Sequence, residues 1–123
     1  MSTFPASTSF VNILVSVKPS LTTPDTYDVI TAPALPVITE TDTVINYQIF
    51  DTGEYDIVFT GMCVKPVIND QLSPASVSAS GKLLTFSDAN TETMNLNITL
   101  KFKDMRKPEL EFSHDPQISN RPG

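Results

Sequence analysis

Residues 93–103 read TMNLNITLKFK, and every second residue of this run is apolar. The apolar positions are Met94, Leu96, Ile98, Leu100 and Phe102. Side chains of a β-strand alternate between two faces, whereas a helix of 3.6 residues per turn would scatter these five positions around its surface. The pattern therefore predicts a long strand with one solvated face, and we expect the five apolar side chains to lie together in the core.

Similar alternation recurs on both sides of this segment. In residues 10–18, Val11, Ile13, Val15 and Val17 share one face, which indicates another half-buried strand. Residues 44–61 predict a hairpin whose turn is Asp51-Thr52-Gly53-Glu54, and residues 76–87 predict a second hairpin near Gly81. No segment has helical periodicity. About seven or eight short strands favour a single antiparallel β-sandwich, immunoglobulin-like or cupredoxin-like without a metal.

The length of 123 residues predicts one domain. We expect a flexible N-terminus over residues 1–9, the β-sandwich over 10–114 and an extended C-terminal tail over 115–123. Pro116 and Pro122 restrict the backbone of the tail, and Ile118 between them is an apolar anchor. The tail is therefore expected to dock. Open sandwich edges need cover, so we also expect a homodimer, with another protein partner as an alternative.

Composition and charge exclude several classes of partner. Ser and Thr together number 27 and charged residues make up 18%, which is typical of an all-β domain. The net charge of −6 opposes binding to nucleic acid or to anionic membranes. The sequence has no apolar run long enough for a membrane span or a signal peptide. The single Cys63 cannot form an internal disulfide, which favours a cytoplasmic location.

Asp51-Thr52-Gly53 follows an apolar strand, as does the catalytic loop of dimeric aspartic proteases. Two such protomers could share a proton between their aspartates, so a hydrolase using Asp51 is the enzymatic alternative. The glycine-rich flap and the second motif of those enzymes are missing from the sequence. Asp and Gly at this spacing are also what a turn requires. We therefore interpret Asp51 as a turn residue.

Other residue types capable of chemistry are few. Cys63 and His114 could form a nucleophile and base, but Cys63 lies in an apolar strand context and His114 lies at a strand end. A blue-copper site needs two histidines, and the chain has one. The sequence thus predicts no catalytic residue, no cofactor and no metal ligand, and hence a protein that is not an enzyme.

Two groups of acidic residues are candidate calcium ligands, and one group of basic residues is a candidate anion site. The acids are Asp51, Glu54 and Asp56, and, near the C-terminus, Asp104, Glu109, Glu111 and Asp115; the bases are Lys101, Lys103, Arg106 and Lys107. Calcium prefers six to eight oxygens from a dense carboxylate loop, which is missing here. Both acidic groups are therefore expected on solvated faces. Carbohydrate binding would have to use Tyr27, Tyr47 and Tyr55 as its aromatic platform.

The closing segment, residues 113–122, reads SHDPQISNRP and resembles the signature of the DP-EP family of small bacterial proteins, named for Asp-Pro and Glu-Pro dipeptides. Residues 42–48, DTVINYQ, are also similar to that family. Arg121 stands where the family name leads one to expect Glu. The resemblance implies no activity, so we expect a non-catalytic, self-associating interaction or structural module. A hydrolase using Asp51 or a small-ligand-binding module is the alternative.

Overall fold

The computed structural model describes residues 8–123, which form ten strands in two facing sheets. The strands are β1 (Phe10–Pro19), β2 (Tyr27–Ala32), β3 (Val37–Ile38), β4 (Thr43–Asp51), β5 (Ile57–Lys65), β6 (Ser76–Val77), β7 (Leu83–Asp88), β8 (Met94–Asp104), β9 (Glu111–His114) and β10 (Gln117–Asn120). The first sheet has the order β2-β1-β4-β7-β6, and the second has the order β3-β10-β8-β5, with β9 also pairing with β8. The predicted all-β sandwich is confirmed.

Both sheets are mixed, although the sequence favoured an antiparallel sandwich. Of the strand pairings, β1 with β4 and β10 with β3 are parallel. After β1 the chain forms the antiparallel strand β2 and then crosses to the second sheet as β3. It returns to the first sheet as β4, which runs parallel to β1. Parallel neighbours need such a long crossover connection. No helix in the described part of the chain is long and apolar enough to cross a membrane.

The hairpin predicted over residues 44–61 is wrong. β4 pairs with β1 and β7 in the first sheet, whereas β5 pairs with β8 in the second. The turn around Gly53, which has a φ of 66°, therefore carries the chain from one sheet to the other. Alternation identifies a strand and its buried face, but it does not identify the strand with which it pairs.

The second predicted hairpin is confirmed, because β6 and β7 pair antiparallel on either side of Gly81. Gly81 has a φ of 77°, and a Cβ there would lie 2.6 Å from Cβ of Val58 on β5. Its carbonyl accepts a hydrogen bond of 2.8 Å from the amide of Phe59. Glycine at this position therefore lets the turn of the first sheet contact an edge strand of the second.

The core lies between the sheets, as the alternation predicted. Leu96, Ile98, Leu100 and Phe102 of β8 are fully buried, and Met94 is half-buried. The opposing side chains include Ile13, Val15 and Val17 of β1 and Ile45 and Tyr47 of β4. The long strand thus anchors the second sheet over the first through its apolar face.

Residues 115–123, expected as an extended tail, include β10. This strand lies between β3 and β8 in the second sheet, and Ile118 is fully buried. At the other end, residues 1–7 of the predicted flexible N-terminus lie outside the described residues. The carbonyl of Ser9 accepts a hydrogen bond from the amide of Val44. The pairing of the first sheet thus extends to just before β1.

Candidate functional site

Asp51 is held in a turn at the end of β4. Its Oδ1 accepts a 2.9 Å hydrogen bond from the amide of Gly53, and its Oδ2 lies 2.9 Å from Nζ of Lys18. The Gly53 amide and the Lys18 ammonium lower the pKa of this carboxyl. An aspartate dyad that shares a proton instead needs one raised pKa. The local geometry is that of a turn residue.

The structure does not bring Cys63 and His114 together. Cys63 on β5 pairs with Thr99 of β8, and His114 on β9 pairs with Leu100 from the other side of β8. Because neighbouring residues of a strand project from opposite faces, the two side chains lie on opposite faces of the second sheet. Cys63 is exposed, and His114 is half-buried with its pKa lowered by burial.

The acids considered as calcium ligands are dispersed. Asp56 lies 3.6 Å from Nζ of Lys82, and Asp51 pairs with Lys18 as described. Within residues 8–123, no three His, Cys, Asp or Glu side chains come together as a metal site. Asp104 is buried, so its predicted position on a solvated face is wrong. Its carboxylate accepts hydrogen bonds from the hydroxyl of Tyr27 and the amide of Arg106.

The three tyrosines do not share one platform. Tyr47 is buried in the core, and Tyr27 stacks on Phe112 with ring centroids 3.8 Å apart. Burial and the hydrogen bond to Asp104 raise the pKa of Tyr27 to about 12. Tyr55 faces the guanidinium of Arg106 at 4.2 Å from the ring centroid. Tyr27 and Tyr55 do border one cavity of about 220 Å³.

The four basic residues that are candidates for an anion site are also spread out. Lys107 pairs with Asp25 at 2.9 Å, and Arg106 lies over Tyr55. Lys101 and Lys103 are half-buried on β8, on the face opposite Leu100 and Phe102. Lys107 thus has an ion-pair partner, and Arg106 has an aromatic partner. The arrangement is that of solvated strand and turn residues.

The first sheet presents an exposed apolar surface on its outer side. We call it the apolar outer face; its residues are Phe10, Leu14, Ile30, Ala32, Phe50 and Leu83. Ile30 is 67% exposed, Phe10 62% and Phe50 58%. The register places Leu14 beside Ala32 on one side and Gln48 on the other, and Gln48 beside Leu83. The surface therefore crosses four neighbouring strands.

Neutral polar groups complete this face. Nδ2 of Asn46 donates to Oδ1 of Asn12 at 3.1 Å, and Oγ1 of Thr85 donates to Oδ1 of Asn46 at 2.6 Å. The charged residues beside it, Lys18, Asp28 and Asp51, lie at one end of β1. Sequence reasoning missed this surface. The available signal was Leu14 and Phe50, which occupy positions where alternation predicts polar residues.

A second feature that sequence reasoning missed is a group of buried polar side chains, which we call the interior polar cluster: Gln71, Asp88, Asn90 and Asn120. Oδ1 of Asp88 accepts 3.0 Å hydrogen bonds from the amide of Asn90 and from Nδ2 of Asn120. Oε1 of Gln71 accepts from Nδ2 of Asn120 and from the amide of Thr91. These hydrogen bonds therefore connect the end of β7 to the end of β10.

The family model described as the DP-EP family matches residues 9–122. The matched region runs from just before β1 to just after β10. It therefore includes both the apolar outer face and the interior polar cluster. No curated protein matches the chain.

Proposed function

The chain belongs to the DP-EP family, and from that premise we propose that it is a non-catalytic β-sandwich module that self-associates through the apolar outer face. Membership brings no activity, substrate or cofactor with it, so the proposal rests on this chain's own surface. The observation that carries it is the contiguous exposure of Leu14, Ile30 and Phe50 across neighbouring strands. Contiguous apolar patches on soluble proteins mark interaction sites.

Charge favours a second copy of the chain as the occupant. The protein carries a net charge of −6, so two copies repel each other unless they meet at a neutral surface. The apolar outer face supplies that surface, because Lys18, Asp28 and Asp51 lie only at its end. An apolar patch is also complementary to itself, as the two-fold symmetry of a homodimer requires.

The geometry of the polar groups supports a role without catalysis. The Asp51 carboxylate binds Lys18 and the Gly53 amide, and Cys63 and His114 lie on opposite faces of the second sheet. We also propose a cytoplasmic location, which the exposed and solitary Cys63 favours because such thiols persist in reducing compartments.

Sedimentation equilibrium at tens of micromolar tests the proposal. We expect the wild-type chain to be a dimer, and Leu14→Lys and Ile30→Lys to be folded monomers, because each places a cation in the apolar contact. Ile68→Lys is the matched control. Ile68 is 89% exposed in the loop after β5 and is not part of the apolar outer face, so this variant should remain a dimer.

A monomeric wild-type protein at these concentrations would contradict self-association. Dimers that persist in both lysine variants would place the contact elsewhere. The proposal that the protein is not an enzyme is tested separately, by incubating peptides with the purified protein at acid pH. Cleavage that is abolished by Asp51→Ala would overturn it.

A further inference from the structure

The outer edge of β5 is uncovered along its second half. β5 is the last strand of the second sheet, and within residues 8–123 no strand pairs with its outer side. The turn between β6 and β7 covers the first half, because the amide of Phe59 donates to the carbonyl of Gly81. The carbonyl of Ile57 accepts a hydrogen bond from Nζ of Lys82 on the same side. After the bulge that follows Phe59, no described group bonds to residues 61–65 from the outer side.

The pairing of β5 with β8 shows which backbone groups point to this open edge. Ile98 is the partner of Val64 in the register, and its amide donates to the carbonyl of Pro116 on the far side of β8. Val64 and Ile98 are therefore a pair without mutual hydrogen bonds, and Val64 directs its amide and carbonyl away from β8. The same holds for Met62, two positions earlier on β5. Free backbone groups in a row on an edge are a template for another strand.

An apolar groove borders the open part of the edge. It lies between β5 and the segment that leads into β6, and its volume is about 360 Å³. The apolar residues that line it are Met62, Val64, Val67, Leu72, Pro74 and Ala75. A strand paired with β5 would direct every second side chain to the face of Met62 and Val64, and hence into this groove. The groove therefore suits a strand with apolar residues at alternate positions.

The outer face of the second sheet is basic beside the same edge. Lys65 lies opposite Asn97 of β8, on the face that Lys101 and Lys103 also share. None of these three lysines forms an ion pair in the described part of the chain. Among the described strand residues of this face the one acid is Glu111, which lies beside Lys103 on the side away from β5. Although the chain carries a net charge of −6, the outward side chains of an added strand would lie beside unpaired positive charge.

Charge and backbone geometry distinguish the candidate occupants. If two copies paired through β5, the lysines of both would lie on one continuous face, and like charges on neighbouring strands are destabilising. A helix satisfies its backbone groups internally, so it would leave those of Met62 and Val64 unpaired. An extended segment in which apolar and acidic residues alternate fits the free backbone groups, the groove and the lysines together.

We infer that β5 binds an extended peptide of another protein, in which apolar side chains alternate with carboxylates. The peptide extends the second sheet beyond β5 through backbone hydrogen bonds to Met62 and Val64. Its apolar side chains occupy the groove, and its carboxylates lie beside Lys65. The site is in the second sheet, whereas the apolar outer face belongs to the first, so the inference is independent of self-association.

Fluorescence anisotropy with two labelled and blocked heptapeptides tests the inference. One peptide alternates glutamate with valine and the other alternates lysine with valine, so their apolar side chains are the same. We expect the full chain to bind the glutamate peptide and not the lysine peptide. Lys65→Glu should weaken binding of the glutamate peptide by about threefold or more, because it places like charges side by side. Lys107→Glu makes the same charge change at the opposite end of β8 and should bind as the wild type does.

The backbone contact is tested separately at Val64. Val64→Pro removes an amide that points to the open edge and leaves the hydrogen bonds to β8 in place. Val64→Ala is the matched control, since it shortens the same side chain and retains the amide. Val64→Ala should therefore bind the glutamate peptide about fivefold or more tightly than Val64→Pro does.

Failure to bind the glutamate peptide, or equal binding of both peptides, would overturn the inference. Equal affinities of the two Val64 variants would also overturn it, because the peptide would then not pair with the edge. If Val64→Pro does not fold, amide hydrogen exchange of the wild type with and without the glutamate peptide decides. Slower exchange at Met62 and Val64 supports the pairing, and unchanged exchange there overturns it. Neither result depends on whether the chain dimerises.

Discussion

Ile98 and Thr99 are neighbours in β8 but lie in different surroundings. Ile98 is fully buried in the core, whereas Thr99 lies on the other face of the strand beside exposed Cys63. Ile98→Ala should lower the free energy of unfolding by about 2–5 kcal/mol, because it removes buried methyl groups and leaves a cavity. Thr99→Ala should lower it by less than about 1 kcal/mol. Urea denaturation of both variants measures the difference, and equal losses would contradict the assignment of faces.

The sequence predicts the burial of some residues correctly and that of others wrongly. The core positions of β8 follow from its period of two, which needs no knowledge of the rest of the fold. Asp104 ends the same strand on its inward face, yet the sequence predicts it in solvent because carboxylates are rarely buried. The hydrogen bond from Tyr27, 77 positions away along the chain, makes this burial favourable. Asp88 and Asn120 are likewise far apart in the sequence, and only the fold brings them within hydrogen-bond distance.

The second sheet depends on β10 as an interior strand. Truncation after His114 would remove the partner of both β3 and the first part of β8, together with buried Ile118. We expect a lower melting temperature and more aggregation, because the exposed strand edges can pair with other chains. Truncation after Asn120 is the matched control, since it removes residues 121–123 and retains β10. Calorimetry and light scattering compare the two, and a His114 truncation that melts like the full chain would contradict this role.

At the level of elements, sequence predicted strands better than pairings. Alternation located most of the long strands, because burial on one face imposes a period of two on each strand separately. It could not show that β4 and β5 lie in different sheets, since a turn at Gly53 suits both a hairpin and a crossing. It also could not show the parallel pairing of β1 with β4. Partner choice depends on contacts between segments distant in the chain.

At the scale of the whole molecule, buried Asp88 and half-buried His114 have opposite effects on how stability depends on pH. Burial raises the pKa of Asp88 above its ordinary 3.8, so its contribution to stability is complete below 3.8 and is lost as pH rises through the folded-state value. Burial lowers the pKa of His114 below 6.5. Its contribution is present above 6.5 and is lost as pH falls through the folded-state value. The pH profile of stability therefore combines opposite slopes.

Asp88→Asn separates these contributions. Wild type should gain stability relative to this variant as pH falls from about 7 to about 4, because only wild type takes up the Asp88 proton. Asp51→Asn should show the opposite sign below about pH 4, since Gly53 and Lys18 lower the pKa of Asp51 and its contribution is lost as pH falls from 3.8 through the folded-state value. Urea denaturation at several pH values gives both comparisons. A difference between wild type and Asp88→Asn that stays constant with pH would contradict a raised pKa for Asp88.

The position of β10 in the second sheet also bears on how the chain is made. Its partners β3 and β8 leave the ribosome earlier, but residues 117–120 follow every other strand of the sandwich. Until they emerge, β3 has no partner within its sheet, and the position of Ile118 in the core is unfilled. The nascent chain therefore exposes apolar surface through most of its translation, and we expect ribosome-associated chaperones to bind it until β10 is inserted.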